Sequence, residues 1–215
     1  MAITDYSSLK TTIADYLHRT DLSDTVMSNF VQFAEVRLNR KLRLLQQQTE
    51  AALTIASGSR ELTLPTDWIE TIDLIHTDNK ETIQPQNIRS LNSQRTADMA
   101  KGRPRLYSTA DGKMLFETIA DSAYPVSLSY FQKWDIETAD VNWLITNAPD
   151  AYLYGSLLEA KAYAKSKEDV SMWAQGVSTA IDDLNNLDNR SRRNATARVD
   201  SALVRGRRFD INRGY

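Results

Sequence analysis

Residues 49–65, TEAALTIASGSRELTLP, are where the chain changes its period. Ala51, Leu53 and Ile55 alternate with polar neighbours, Ser57-Gly58-Ser59 turns the chain, and Leu62 and Leu64 resume the alternation. Apolar residues at every second position lay one face of an extended chain on a core and leave the other in water. The stretch therefore predicts strand, turn, strand. On both sides of this region the apolar period is helical, and that contrast sets the expected fold class.

Upstream, Tyr6, Leu9, Ile13, Tyr16 and Leu17 recur at helical spacing, with Thr4 or Asp5 placed to cap the start. A break at residues 19–24, RTDLSD, precedes a stronger helix capped by Ser23 or Asp24. Its apolar stripe is Val26, Phe30, Phe33, Ala34, Leu38, Leu42 and Leu45. Arg37, Arg40, Lys41 and Arg43 gather in its last turns, where cations suit the helix dipole.

Downstream, residues 70–85, ETIDLIHTDNKETIQP, repeat the strand-turn-strand signal, and a short helix is expected within 86–100. In residues 103–117, Asp111-Gly112 between two alternating runs is a favourable hairpin turn, and 123–134 adds another strand. The helical period returns at 147–165, with Pro149 at the first helical position. A final helix carries Val170, Trp173, Val177, Ile181, Leu184 and Leu187. The expected fold class is α+β. It comprises an α-helical bundle, with two N-terminal and two C-terminal helices, and an inserted antiparallel β-sheet or small β-barrel of about six strands. An extended C-terminal arm follows. The expected divisions are 1–48, 49–134, 135–188 and 189–215.

With 215 residues, 41% hydrophobic and 25% charged, the composition is that of an ordinary globular protein. There is no cysteine, which excludes disulfides and thiolate metal ligands and suits a reducing compartment. The N-terminus shows no charged-then-apolar signal region, and no apolar run approaches the roughly 18 residues of a membrane span, so a soluble protein without a membrane partner is expected. Charge is unevenly placed. Residues 189–215 hold eight arginines against two aspartates, a net +6, so a chain of net −2 carries −8 over its first 188 residues. An acidic body with a basic end points to an interaction.

Chemistry is sparse. His18 and His76 have no cysteine neighbour and no histidine partner at helical spacing, so no metal site is expected. The seven glycines form no phosphate-cradling loop, and Gly155 within a helix suits close helix packing. Glu35, Asp67, Glu70, Asp150 and Glu159 are candidate carboxylates for glycoside hydrolysis. With 28 acids in the chain, however, neighbouring pairs arise by chance. Tyr152, Tyr154, Tyr163 and Trp173 lie on helical stripes beside Leu157, Leu158 and Val177, which favours packing over nucleic-acid stacking. No catalytic residue, cofactor or metal is assigned, and the chain is not expected to be an enzyme.

Four stretches together resemble one family: residues 33–70, 102–117, 124–134 and 142–165. The first runs FAEVRLNRKLRLLQQQTEAALTIASGSRELTLPTDWIE, the second is the GRPRLYSTADGKMLFE hairpin, the third is YPVSLSYFQKW, and the fourth is NWLITNAPDAYLYGSLLEAKAYAK. In this order, over Ile3 to Leu187, they are similar to the head-to-tail adaptor (connector, or head completion) proteins of tailed bacteriophages. The resemblance implies a virion structural protein that forms a ring, usually of twelve copies, beneath the portal protein at the capsid vertex. Such a ring extends the channel for genomic DNA, without sequence-specific binding. It offers a platform to a tail nozzle or tail tube protein and to tail fibres, and it assembles in the host cytoplasm.

In that family the C-terminal extension docks on the portal. The role passes to this chain by position alone, because nothing beyond Leu187 matches a family motif. The residues concerned are Arg190, Arg192, Arg193, Arg198, Leu203, Val204, Arg205, Arg207, Arg208, Phe209, Ile211, Arg213 and Tyr215. Arginine forks suit carboxylates as well as phosphates, and the spaced apolar residues suit anchoring on another protein. Trp68, near the exposed end of a hairpin, is a candidate tail-protein contact or a residue buried beneath the sheet. Two alternatives stand beside the adaptor reading: a DNA-binding protein using the basic tail, and a virion-associated peptidoglycan hydrolase.

Overall fold

A computed structural model describes residues 2–19, 21–93, 101–163 and 170–196, with side chains through 192 at the C-terminal end. The first helix, α1 (Tyr6–Leu17), starts where the sequence caps it. Asp5 Oδ1 accepts from Ser8 N at 2.8 Å, and Ser8 Oγ accepts from Asp5 N at 3.0 Å. This reciprocal pair satisfies donors that the first turn leaves free. The helix ends at His18, whose left-handed φ of 50° stops the spiral. Helix α2 (Asp24–Lys41) is capped by Ser23, and a 3-10 turn, Leu45–Gln47, leads out of the helical part.

Among the described residues nine strands follow, interrupted by one short helix. They are β1 (Gln48–Ile55), β2 (Glu61–Thr63), β3 (Trp68–His76), β4 (Gln84–Pro85), β5 (Lys101–Gly102), β6 (Leu106–Ala110), β7 (Lys113–Phe116), β8 (Ile119–Ala120) and β9 (Tyr124–Gln132), with α3 (Ile88–Ser93) between β4 and β5. The chain then makes α4 (Ile136–Ala139), α5 (Trp143–Asn147), α6 (Pro149–Tyr163) and α7 (Ser171–Thr196). The molecule is mixed α+β, with seven α-helices among the described residues.

The strands form three sheets in the orders β1-β9-β3, β2-β7-β6-β4 and β5-β8. Most pairings are antiparallel; β4-β6 and β5-β8 are parallel. None of these sheets closes on itself, so among the described residues the small barrel does not occur. The strand-turn-strand reading of residues 49–65 holds, but its two strands part company. β1 pairs along its length with β9, from Gln48↔Phe131 to Ile55↔Tyr124, whereas β2 pairs with β7. The turn explains the divergence. Ser59 N donates to Ala56 O at 3.0 Å, Gly58 takes φ 75°, and Gly58 N donates to Ala120 O at 2.8 Å, which draws the turn toward β8 and away from β9.

The other two turns fall where the sequence puts them. Residues 74–83 fold back through Ile83 N to Leu74 O at 2.7 Å and His76 N to Glu81 O at 2.9 Å. Asp111 and Gly112, at φ 51° and 67°, join β6 to β7 as a two-residue hairpin. Two helices escaped the periodicity, α4 and α5. They have four and five residues, and only their caps show them: Asp135 accepts from Thr138 N, and Asn142 from Ile145 N. Helix α7 continues to Thr196, past the division at residue 188.

Two cores result. The sheet core holds Ile55, Leu74, Ile83, Met114, Phe116, Val126 and Leu128. The helical core holds Leu9, Ile13, Val31, Leu38, Leu42, Trp134, Leu144, Tyr152, Leu157, Ile181 and Leu184. Each large apolar side chain buried this way contributes roughly 1.5–3 kcal/mol. Helix α6 lies at the centre of the helical part, packed by α1, α2 and α7. Its buried residues run Ala151, Tyr152, Leu153, Gly155, Ser156, Leu157 and Ala160, so it is covered on most sides. Tyr16, Phe33 and Leu187, which the helical stripes include, are exposed.

Candidate functional site

The site that the charge distribution singles out is the base of the basic C-terminal segment. Helix α7 presents Ile181 and Leu184 to the helical core, and four residues further on Asp188 is buried at 8% exposure. Asp188 Oδ1 accepts from Leu45 N at 2.7 Å, and its second oxygen accepts from Arg192 Nε at 2.5 Å. Arg192 Nη2 continues to Arg43 O at 2.8 Å. Arg43 in turn donates through Nη1 to Asn39 O at 2.8 Å and Leu42 O at 2.6 Å, and through Nε to Glu70 Oε2 at 3.0 Å.

The knot has a local cause. A helix leaves its last carbonyls without intrahelical donors, and α2 ends at Lys41 beside the 3-10 turn. Arg43, just past the helix, covers two such carbonyls, Asn39 O and Leu42 O, and Arg192 of α7 covers Arg43 O beyond them. The last turns of α7 are thereby tied to residues 43–45 and, through Arg43, to the end of α2 and to Glu70 of β3. Arg190 and Arg193 stand on the same helix, with the Arg190 side chain exposed. Arg198, Leu203, Val204, Arg205, Arg207, Arg208, Phe209, Ile211, Arg213 and Tyr215 lie outside the described residues.

A cleft opens between the helical part and the sheets, lined by Tyr6, Gln32, Glu35, Asn39, Asp67, Lys133, Trp134, Asp135 and Glu137, among others. Glu35 Oε1 accepts from Tyr152 OH at 2.6 Å and from Ile136 N at 2.9 Å. Burial pushes its carboxyl up to about 7, Asp135 and Glu137 push the same way, and the two hydrogen bonds pull it back only in part. Tyr152 is raised as well, by burial first and then by Glu35. Asp67 accepts from Tyr130 OH at 3.0 Å, and Tyr130 is pushed up to about 12 by burial and by that bond.

The structure disperses the candidate carboxylates. Glu35 and Asp67 line the same cleft, and both hold other parts of the fold. Asp150 lies in the first turn of α6, beside a depression lined by Tyr16, Tyr154 and Trp173. Glu159 pairs with Arg37, and Glu70 with Arg43. His76 is buried with Nε2 at 2.8 Å from Pro104 O, and His18 ends α1. Among the described residues no group of three His, Cys, Asp or Glu could hold a metal, and no helix is long and apolar enough to cross a membrane.

Trp68 begins β3 half-buried, packed against the sheet core, with Nε1 donating to Thr71 Oγ1 at 3.1 Å. Trp173 packs between Tyr16 and Tyr154, and the Tyr163 ring packs edge-on against Phe30. Sequence reasoning missed Asp188, the tie of Arg43 to Glu70, and the pairing of Glu35 with Tyr152. Asp188 and Arg192 stand four apart on a helix, and that spacing was the available signal.

No curated protein matches the chain closely enough to register. Residues 4–200 match the family described as SU10 adaptor protein, and the chain belongs to this family of structural phage proteins, the head-to-tail adaptors.

Proposed function

We propose that the protein is a ring-forming adaptor that joins the capsid portal to the tail and extends the DNA channel. Its helices form the bundle of such an adaptor, and its Arg-rich C-terminal segment docks on the portal. The observation that carries the docking role is the knot at Asp188 and Arg192, which fixes the helix from which the segment continues. A docking segment transmits force only if its root is tied to the body, and this root is tied to the segment 43–45 and, through Arg43, to α2 and to Glu70 of β3.

Charge supports the same reading. The first 188 residues carry −8 against +6 in residues 189–215, so the body repels phosphate while the segment seeks anions. Arginine forks pair bidentately with carboxylates, which suits an acidic protein surface.

Truncation after Thr196 tests the proposal, because it leaves the Asp188–Arg192 knot intact. The shortened chain should fold and unfold like the full one and lose co-assembly with the portal. Unchanged docking would overturn the assignment. Binding of the full chain to duplex DNA, with log K falling against log salt at a slope near −5, would move the segment to phosphate instead.

A further inference from the structure

Helix α2 grips the crossover between β9 and α6 with two side chains one turn apart. Asn39 holds Trp134 on both sides: Nδ2 donates to Trp134 O at 2.9 Å, and Oδ1 accepts from Trp134 N at 3.1 Å. Glu35 holds the residue two further on through Ile136 N, and reaches α6 through Tyr152 OH. Tyr152 OH also accepts from Asn142 Nδ2 at 2.7 Å, which brings in the cap of α5. Glu35 therefore sits where α2, α4, α5 and α6 converge.

The two grips differ in kind. Asn39 does not titrate, whereas Glu35 does. Glu35 is 7% exposed, and its helix neighbour Arg37 is paired with Glu159. The groups facing it from the crossover are Asp135 and Glu137, both acidic, and from α6 Tyr152. Across the cleft stand Tyr6 of α1, Asp67, which accepts from Tyr130, and Lys133, whose Nζ donates to Thr66 O at 3.2 Å. An ionised carboxylate buried beside two more carboxylates is costly. The site lowers that cost by taking a proton or by admitting water. Helices α2 and α6 pack directly on each other, Leu144 and Ile145 of α5 are buried in the helical core, and Asp140 O accepts from Tyr6 N at 2.9 Å. That leaves the start of the crossover, with Lys133, Asp135 and Glu137 exposed along the cleft, as the part to yield.

We propose that the start of the crossover, residues 133–137, is a proton-governed clasp. It lies closed on α2 while Glu35 is neutral and opens toward the cleft when Glu35 is ionised, loosening the tie between sheets and helices. The inference stands whether or not the chain docks on a portal.

The sign follows from linkage. The closed form binds the Glu35 proton more tightly than the open form does. Closure is therefore fully favoured below about pH 4.5, and the advantage is gone once pH has risen through about 7. Native-state hydrogen exchange at the Ile136 amide reads the clasp directly, once the intrinsic pH dependence of exchange is removed. The opening constant should rise about tenfold or more between pH 5.5 and 8. Emission from Trp134, stacked on Trp143 at 6.3 Å, should follow the same transition.

Glu35→Gln keeps an Oε1 acceptor for both donors and should make Ile136 protection flat across this range. Asn39→Ala should raise opening at every pH while keeping the slope. A pH-independent Ile136 amide in the unaltered protein would overturn the proposal, and so would a pH response that survives in Glu35→Gln. Should Glu35→Gln fail to fold, an NMR titration of the Glu35 side-chain carboxyl in the unaltered chain decides instead. A midpoint near 7 that matches the Ile136 transition supports the clasp, and a midpoint near 4.5 sinks it.

Discussion

Gly155 stands where α6 passes closest to α2. A Cβ built there would lie 2.9 Å from the Cβ of Ala34, closer than real side-chain carbons approach. Gly155→Ala gains about 1 kcal/mol of helix propensity but forces apart two packed helices, at a cost of roughly 1–3 kcal/mol. We expect a net loss of stability in urea unfolding, larger for Gly155→Leu. A Gly155→Ala variant as stable as the parent would show that this contact gives easily. The role of Gly155 is legible in the sequence because a glycine among good helix formers needs a packing reason. Glu35 is not legible in that way. Its partners lie 101 and 117 residues away, and nothing local distinguishes it from the other acids.

At the level of elements, the reading of α7 turns on Asp188. Asp188→Ala removes the acceptor of the Leu45 amide and the partner of Arg192. Leaving such a donor unsatisfied costs about 1–3 kcal/mol, so thermal unfolding should shift down and amides in the last turns of α7 should exchange faster. Equal stability and unchanged exchange would mean that α7 is held by its apolar face alone. The hairpin of β6 and β7 makes a simpler test. Gly112 sits at φ 67°, and Gly112→Ala should lose on the order of 1 kcal/mol in chemical denaturation, whereas Asp111→Asn should be neutral or better. Strand existence was readable from alternation at β1, β3, β6 and β9. Strand partnership was not, because a period of two names a buried face and says nothing of the neighbouring strand. That is why β1 and β2 read as strand, turn, strand and yet belong to two sheets. Helices α4 and α5 are shorter than two helical turns, so no period could show them.

For the whole molecule, the separation of charge is the feature that sequence alone conveys best, since net charge needs no coordinates. It makes a prediction independent of any partner. The chain truncated after Thr196 should show no binding to duplex DNA at physiological salt, in a gel-shift or anisotropy titration. Binding by that truncated body would require a phosphate site that its surface charge does not advertise. The helical ends and the strand-rich middle were both legible, as was the family likeness in four short stretches. The division of the middle into three sheets was not, because it depends on contacts such as Gln48↔Phe131 between distant residues.

The place of β9 at the centre of its sheet bears on how the protein is made. Its flanking strands, β1 and β3, leave the ribosome well before it, and at roughly 5–20 residues per second they wait several seconds for the strand that joins them. The helical core waits longer still, because α6, on which α1 and α2 pack, follows β9 in the chain. A chain interrupted before residue 124 can complete neither core. Unfinished copies therefore keep their apolar faces open, and only a chain made through α7 can close both cores.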